Sequence, residues 1–270
     1  MDATEVLRIA ASSYWVPPDS ERLVGDGFVM VRYDNGFAYD TGVYEIDSKR
    51  PAIEVVDDVI QVARRWGRPV TYWNGLTQHT RPAGLIDLLR ARGGVELERL
   101  AVLALDLTAA RPDLAVPETI RTEVPLDRPS CEAAAAVAAE AFDQPVMSVS
   151  DADVEGQRRT VESGAGTSYV AYVDDRPAAT GGMSYVADGR AAKLWGGGTA
   201  PWARGMGAYR AVLEARLAAA AEHGCEAAIV GGRLTTSAPI LGRAGFRQYG
   251  EEFMLRVPVD SATRPTGRLS

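Results

Sequence analysis

Residues 191–223 run from a short apolar strand, Ala191–Trp195, into three consecutive glycines, then through a loop into a long helix. The glycines are Gly196, Gly197 and Gly198, and the loop continues through Thr199-Ala200-Pro201-Trp202-Ala203-Arg204. The helical segment is expected over 205–223, with Tyr209, Val212, Leu213, Leu217 and Ala220 along one face. Gly205, Met206, Gly207, Ala208 and Tyr209 stand at its front. The first N–H groups of a helix lack intrahelical partners and carry partial positive charge. Glycines there let a phosphate approach the backbone with no Cβ in the way. The segment reads as a cradle for a diphosphate, to which the Arg204 guanidinium adds charge.

The glycine run carries a second message. Three glycines weaken a strand and mark a bulge or a close backbone approach. A strand that parts from its neighbour leaves N–H and C=O groups free, and an extended amide chain can pair with them as an added strand. Pantetheine is such a chain. A thioester at its tip would lie in the gap, near a backbone N–H able to stabilise an oxyanion. Gly197, Gly198 and Thr199 are the expected contacts of the arm, and Arg204 to Tyr209 those of the phosphates. Ser237 is a further candidate for a hydrogen bond to the cofactor, beside its plainer role as a helix N-cap. The alternative for the whole stretch is a glycine-rich surface turn before a helix, with no ligand.

The remainder of the chain sets the frame. At 270 residues the chain suits two domains of about 130 residues better than one. In the first half, a helix is expected at 3–14 and a hairpin from Gly27–Tyr33 to Ala38–Ile46 across Asp34-Asn35-Gly36. A helix at Glu54–Trp66 follows, with Val55, Val56, Val59, Ala63 and Trp66 on one face. Then come a strand at Pro69–Trp73, a helix at 83–92 and a strand at Glu96–Leu107. A proline-rich linker is expected over about 108–118. The second half gives a strand at Thr119–Val124, helices at Cys131–Phe142 and Asp151–Ser163, and a hairpin from Ser168–Val173 to Ala178–Tyr185. After the 205–223 helix come a strand at Cys225–Val230, a short helix at Ser237–Ala244 and a closing strand at Phe253–Val257.

The halves also look alike. Leu89-Arg90-Ala91-Arg92-Gly93 matches Leu241-Gly242-Arg243-Ala244-Gly245 in spacing, and the helix ending at Gly67 corresponds to the one ending at Gly224. An internal duplication is expected, with 1–110 as one copy, 118–258 as the other and 259–270 as a flexible tail.

Composition excludes several classes. The net charge of −7, with no stretch rich in Lys and Arg, argues against a nucleic-acid binder. Cys131 and Cys225 stand far apart, and only His79 and His223 are available. Neither a disulfide framework nor a metal site is expected. The acidic start Met1-Asp2-Ala3-Thr4-Glu5 is unlike a signal peptide, and no apolar run suggests a membrane span. A cytoplasmic monomer or homodimer is the expectation.

The order of elements over 119–257, with Pro201, Arg204 and Gly207 in the loop and Gly245-Phe246 near the end, resembles the GNAT superfamily of N-acetyltransferases. That family's loop reads Arg or Gln, two residues, Gly, one residue, then Gly or Ala. Arg204 and Gly207 match, whereas Tyr209 stands at the last position. The resemblance implies an α/β fold of mixed α+β type: two GNAT-like domains in tandem, each a mostly antiparallel mixed sheet flanked by helices. It implies acetyl-CoA or another acyl-CoA as cosubstrate, no metal, and a small-molecule or peptide amine as acceptor. The first half resembles the degenerate partner domain of tandem members. Its matching helix follows Lys49-Arg50-Pro51-Ala52 rather than a glycine cradle, so no cofactor is expected there.

The catalytic groups are harder to place. The family's acid is often a Tyr four residues before the closing Gly; here that residue is Leu241. Its base is often a carboxylate on the strand before the loop, and 191–199 contains none. Tyr209, Tyr185, Asp188, Thr236, Glu251, Glu252 and His223 are substitutes, each with a simpler structural role. Two outcomes stay open: transfer by positioning alone, or a module that binds acyl-CoA without turning it over.

Overall fold

The computed structural model describes residues 1–14, 16, 20–34 and 39–260. In chain order, the first elements are α1 (Ala3–Ser12), β1 (Glu21–Val24), β2 (Val29–Arg32), β3 (Thr41–Tyr44), α2 (Ala52–Arg65), β4 (Val70–Leu76), α3 (Leu85–Ala91) and β5 (Val95–Asp106). There follow β6 (Arg121–Glu123), α4 (Arg128–Phe142), α5 (Asp151–Glu162), β7 (Gly166–Val173), β8 (Arg176–Val186) and β9 (Ala191–Thr199). The chain ends with α6 (Ala208–Glu222), β10 (Ala227–Arg233), α7 (Ser237–Arg243) and β11 (Arg247–Pro258). The fold is mixed α/β, with mostly antiparallel sheet flanked by helices.

Two units divide these elements. One comprises Leu7–Val102 and the stretch from Gly250 onward; the other comprises Met1–Val6 and Leu103–Tyr249. Strands β5 and β11 therefore each begin in one unit and end in the other.

In the first unit the strands run β1-β2-β3-β4-β11-β5. Strands β2 and β3 form the expected antiparallel hairpin, Val29 opposite Tyr44 and Arg32 opposite Thr41. Of its expected turn, Asn35 and Gly36 lie outside the described residues. The apolar stripe of α2 buries Val55, Val56, Val59 and Ala63 against Trp73 and Leu76 of β4 and against Phe253, Leu255 and Val257 of β11. Trp66 closes this face from the rim, its Nε1 donating to Glu21 at 2.7 Å. The Val259 N–H donates to the Pro69 carbonyl at 2.9 Å, and residues 261–270 of the expected tail lie outside the described residues.

In the second unit the strands run β5-β10-β9-β8-β7-β6. Helix α6 lies close on β7 and β8 because the contact is made of small residues: Ala171, Ala178, Ala179, Ala208, Ala211 and Val212 are all buried together. Helix α5 opens on a reciprocal cap, in which the Ser150 hydroxyl accepts from the Asp153 N–H at 3.2 Å and the Asp153 carboxylate accepts from the Ser150 N–H at 2.8 Å. Ser150→Ala removes half of it and is expected to lower stability by about 1 kcal/mol in urea titration; an unchanged midpoint would discount the cap.

Matching helix ends recur in the two halves. The Gly94 N–H donates to the Leu89 carbonyl at 2.9 Å and the Phe246 N–H to the Leu241 carbonyl at 3.1 Å. Arg68 closes onto Ala63 at 2.9 Å as Cys225 does onto Ala220 at 3.0 Å. Among the described residues, no helix is long and apolar enough to cross a membrane.

Candidate functional site

The glycine run does not end β9: the strand that Ala191–Trp195 starts runs through it to Thr199. Pairing with β8 continues to Thr199, opposite Ala179. The register slips on the way: Gly182 faces Trp195 and Thr180 faces Gly198, so Gly181 alone faces Gly196 and Gly197. This is a β-bulge on β9. Gly196 takes φ +60 there, a left-handed conformation natural to glycine.

On its other edge β9 pairs in parallel with β10, but only from Ala191↔Ala227 to Leu194↔Val230. Both strands run on past that point without pairing to each other. The split begins one residue before the bulge, and Gly196, Gly197 and Gly198 lie along it.

Beyond Thr199 a 3-10 turn, Pro201–Ala203, carries the chain to the loop. The Arg176 guanidinium lies 4.0 Å over the Trp202 ring and pins this turn. Arg204, Gly205 and Met206 are exposed. Helix α6 begins at Ala208 rather than at Gly205, because Gly205 (φ +82) and Gly207 (φ +98) both adopt left-handed backbone. Gly207 is the N-cap and supplies no side-chain cap. The front amides of α6 therefore have no side-chain acceptor of their own. Ala208 is fully buried and offers this front only its backbone; Tyr209 is half-buried.

Ser237 stands at the start of α7, past the far end of β10. It is not an N-cap: Thr236 holds that position without a side-chain bond, and the Ser237 hydroxyl accepts from the Arg233 N–H at 2.7 Å. Gly197 and Tyr209 are brought together, since a Cβ on Gly197 would lie 3.2 Å from Tyr209 Cε2. Gly198 turns the other way, where a Cβ would meet Ala141 at 2.7 Å.

The substitutes for acid and base scatter. Tyr185 stacks on His223 with ring centres 3.7 Å apart, and its hydroxyl donates to the Ala219 carbonyl at 3.4 Å. His223 caps the C-terminal end of α6 and Tyr185 of β8 packs against that end, away from the glycine loop, where burial raises the Tyr185 pKa. Asp188 takes positive φ in the β8–β9 turn. Glu251 pairs with Arg99 at 3.2 Å in the other unit. Leu241 is 1% exposed and packs as a core residue. Burial also pushes the Cys225 thiol up to about 11, so it stays protonated, donating to the Gly189 carbonyl.

Sequence reasoning overlooked one polar residue. Arg216 lies on α6 with 1% exposure. The signal was available: position 216 follows Val212 by four and Leu213 by three and precedes Ala220 by four, so it falls on the buried face.

The acetyltransferase (GNAT) family model matches residues 134–238. That span contains the glycine run, the loop, α6 and Ser237. Among solved structures, the chain is similar to a GCN5-related N-acetyltransferase from Kribbella flavida, with 18% identity, TM-score 0.64, and 95% of this chain and 94% of that one covered. It is also similar to a GCN5-related N-acetyltransferase from Sphaerobacter thermophilus (17% identity, TM-score 0.61, 88% and 82% covered). A tandem GNAT protein from the clavulanic acid biosynthesis pathway gives 14% identity and TM-score 0.62, with 95% and 93% covered. At these identities the structural likeness speaks for the fold alone. No curated protein matches the sequence. With the family model falling on the split strands and the helix front, the chain carries an acetyltransferase domain of the GNAT family.

Proposed function

We propose that this domain binds acetyl-CoA, or another short acyl-CoA, and moves the acyl group to a primary amine of a small molecule or peptide by direct attack. The diphosphate sits on the front amides of α6, held by Arg204, Gly205, Met206, Gly207, Ala208 and Tyr209. The pantetheine arm pairs with the free edge of β9 at Gly197, Gly198 and Thr199, and Ser237 approaches from the β10 side. What supports this most is the coincidence of three features on one short segment: pairing between β9 and β10 stops at Leu194↔Val230, the bulge follows at once, and the strand then feeds an uncapped helix front. Chemically, the arrangement supplies alignment and backbone donors rather than a strong acid or base. A thioester is already activated, and alignment alone supplies up to ~7–11 kcal/mol.

A second reading has its own support. Leu241 fills the place of the expected acid, and β9 has no carboxylate. A module that binds acyl-CoA without transfer fits both facts.

The two are separated by measuring CoA release over a panel of primary amines, beside calorimetric binding of acetyl-CoA. Transfer predicts saturable release with at least one amine. Saturable binding with no release on any amine supports the module, and no binding at all sinks both.

We also read the first half as a degenerate copy without a cofactor, and 1–110, 118–258 and 259–270 as the evolutionary divisions. The paired closures at Gly94 and Phe246 support the duplication. Helix α2 starts behind Pro51, and Arg50 there is engaged by Asp58 at 2.7 Å.

A further inference from the structure

Arg216 is a buried guanidinium with no carboxylate against it among the described residues. Its Nε donates to the Val212 carbonyl at 3.3 Å and its Nη1 to the Gly182 carbonyl at 3.4 Å. Its Nη2 has no acceptor among the described residues. Among the described residues no carboxylate acts on it: burial pushes its pKa down, and the neighbouring Tyr209 phenol, by charge and by hydrogen bonding to the guanidinium, works the other way, while Nη2 itself keeps no acceptor. Arginine nonetheless stays charged in proteins. An isolated buried charge is among the costliest features a fold can hold, and buried charges are ordinarily paired.

The direction of the guanidinium decides which site that is. A Cβ on Gly181 would lie 3.0 Å from Nη1, and one on Gly197 would lie 3.4 Å from Nη2. Arg216 thus fills the space that these two residues leave by lacking side chains, directly beneath the bulge. Nη2 shares the space under Gly197 with the Tyr209 ring, whose Cε2 would lie 3.2 Å from a Cβ there, and a Cβ on neighbouring Gly196 would meet nothing within 4 Å. Depth along the helix agrees. Arg216 is eight residues past Ala208, about 12 Å at ~1.5 Å per residue. That distance carries it away from the phosphate end of the cradle and toward the end where the arm's thioester lies.

We propose that Arg216 anchors a carboxylate borne by one of the two reactants, received at the glycine bulge. The proposal rests on the acyl-CoA reading above. The carboxylate has two possible sources: an acyl group that ends in one, as in succinyl- or malonyl-CoA, or an amine acceptor that is an amino acid. In either case the anion takes the vacant Nη2 donors in charge-assisted hydrogen bonds. The bulge yields to admit it, since Gly196 and Gly197 have no side chains to move.

Calorimetry on the wild-type protein tests this without requiring turnover. In one arm, acetyl-CoA, malonyl-CoA and succinyl-CoA are compared. In the other, amino acids and their decarboxylated amines are titrated into protein saturated with CoA. A preference of roughly 10- to 100-fold for the carboxylate-bearing member is expected in one arm, and Arg216→Gln is expected to abolish it while acetyl-CoA still binds. Equal affinities in both arms, with acetyl-CoA bound, overturn the proposal and leave the acyl-CoA site standing. A preference that survives Arg216→Gln also overturns it. Failure of every thioester to bind overturns both. The wild-type comparison stands even where the Arg216→Gln protein does not fold.

Discussion

Met206→Glu is expected to lower acetyl-CoA affinity roughly tenfold to a hundredfold at low ionic strength, by the repulsion between its carboxylate and a diphosphate held at the proposed site. Met206 is 48% exposed and lies between two left-handed glycines, so its side chain is free to change while the loop's backbone path is kept. Gly207→Glu is a poorer probe. At φ +98, with the Pro117 Cδ only 2.7 Å from a Cβ there, any side chain strains the loop, and lost binding would not separate charge from distortion. The effect of Met206→Glu should shrink as salt is added, because exposed charges are screened over about 10 Å at 0.1 M. Arg204→Gln, which removes one exposed charge and leaves the amides, should cost only a few-fold. Val24→Glu, on an exposed residue of β1 in the other unit, serves as the control and should change nothing. Equal affinity for Met206→Glu and wild type, or an equal loss for Val24→Glu, would remove the diphosphate from the front of α6.

The helices and most of the strands were legible because their burial is periodic. Val55, Val56, Val59 and Ala63 declare the inner face of α2, and all four are buried. Strand β1 was not legible: Glu21-Arg22-Leu23-Val24 is an exposed edge with a single half-buried residue, so it has no alternation to read. The start of β9 at Ala191–Trp195 was legible, and the strand continues through its glycines to Thr199. Glycine has little strand preference, and pairing with β8 overrides that. The same override brings Arg247–Glu252 into β11, six residues before the expected start at Phe253. At the site, the glycines and the helix front announced a cradle, since their meaning lies in backbone geometry that glycine alone allows. The split of β9 from β10 was expected from the same glycines, and pairing ends at Leu194↔Val230. Arg216 escaped because a charged residue within a helix is ordinarily taken for a solvated one. Only its place among Val212, Leu213 and Ala220 marked it as buried.

Trp73→Ala is expected to destabilise the first unit by about 3–5 kcal/mol. Trp73 is fully buried and is the residue on which the apolar face of α2 converges, with Leu255 and Val257 of β11 completing its surroundings. Its indole Nε1 donates to the Thr71 hydroxyl at 3.0 Å, which in turn donates to the Val257 carbonyl at 3.3 Å. Truncation leaves a cavity that valines from α2 cannot fill, as each is fixed on a helix already closed at Gly67. It also takes one donor from a buried hydroxyl. A loss of that size is a large share of the ~5–15 kcal/mol that holds a typical domain. Trp195→Ala provides the contrast. That ring is 47% exposed and lies over Gly182, with its Nε1 donating to Ser184 at 3.1 Å, so its removal should cost under ~1 kcal/mol. Urea titrations followed by circular dichroism read both, with a shifted midpoint at constant slope marking a change in stability alone. If the two substitutions destabilised equally, the packing assigned to β4, α2 and the C-terminal half of β11 would be wrong. If Trp73→Ala left acetyl-CoA affinity intact at temperatures where the protein stays folded, coenzyme binding would be independent of the first unit's core.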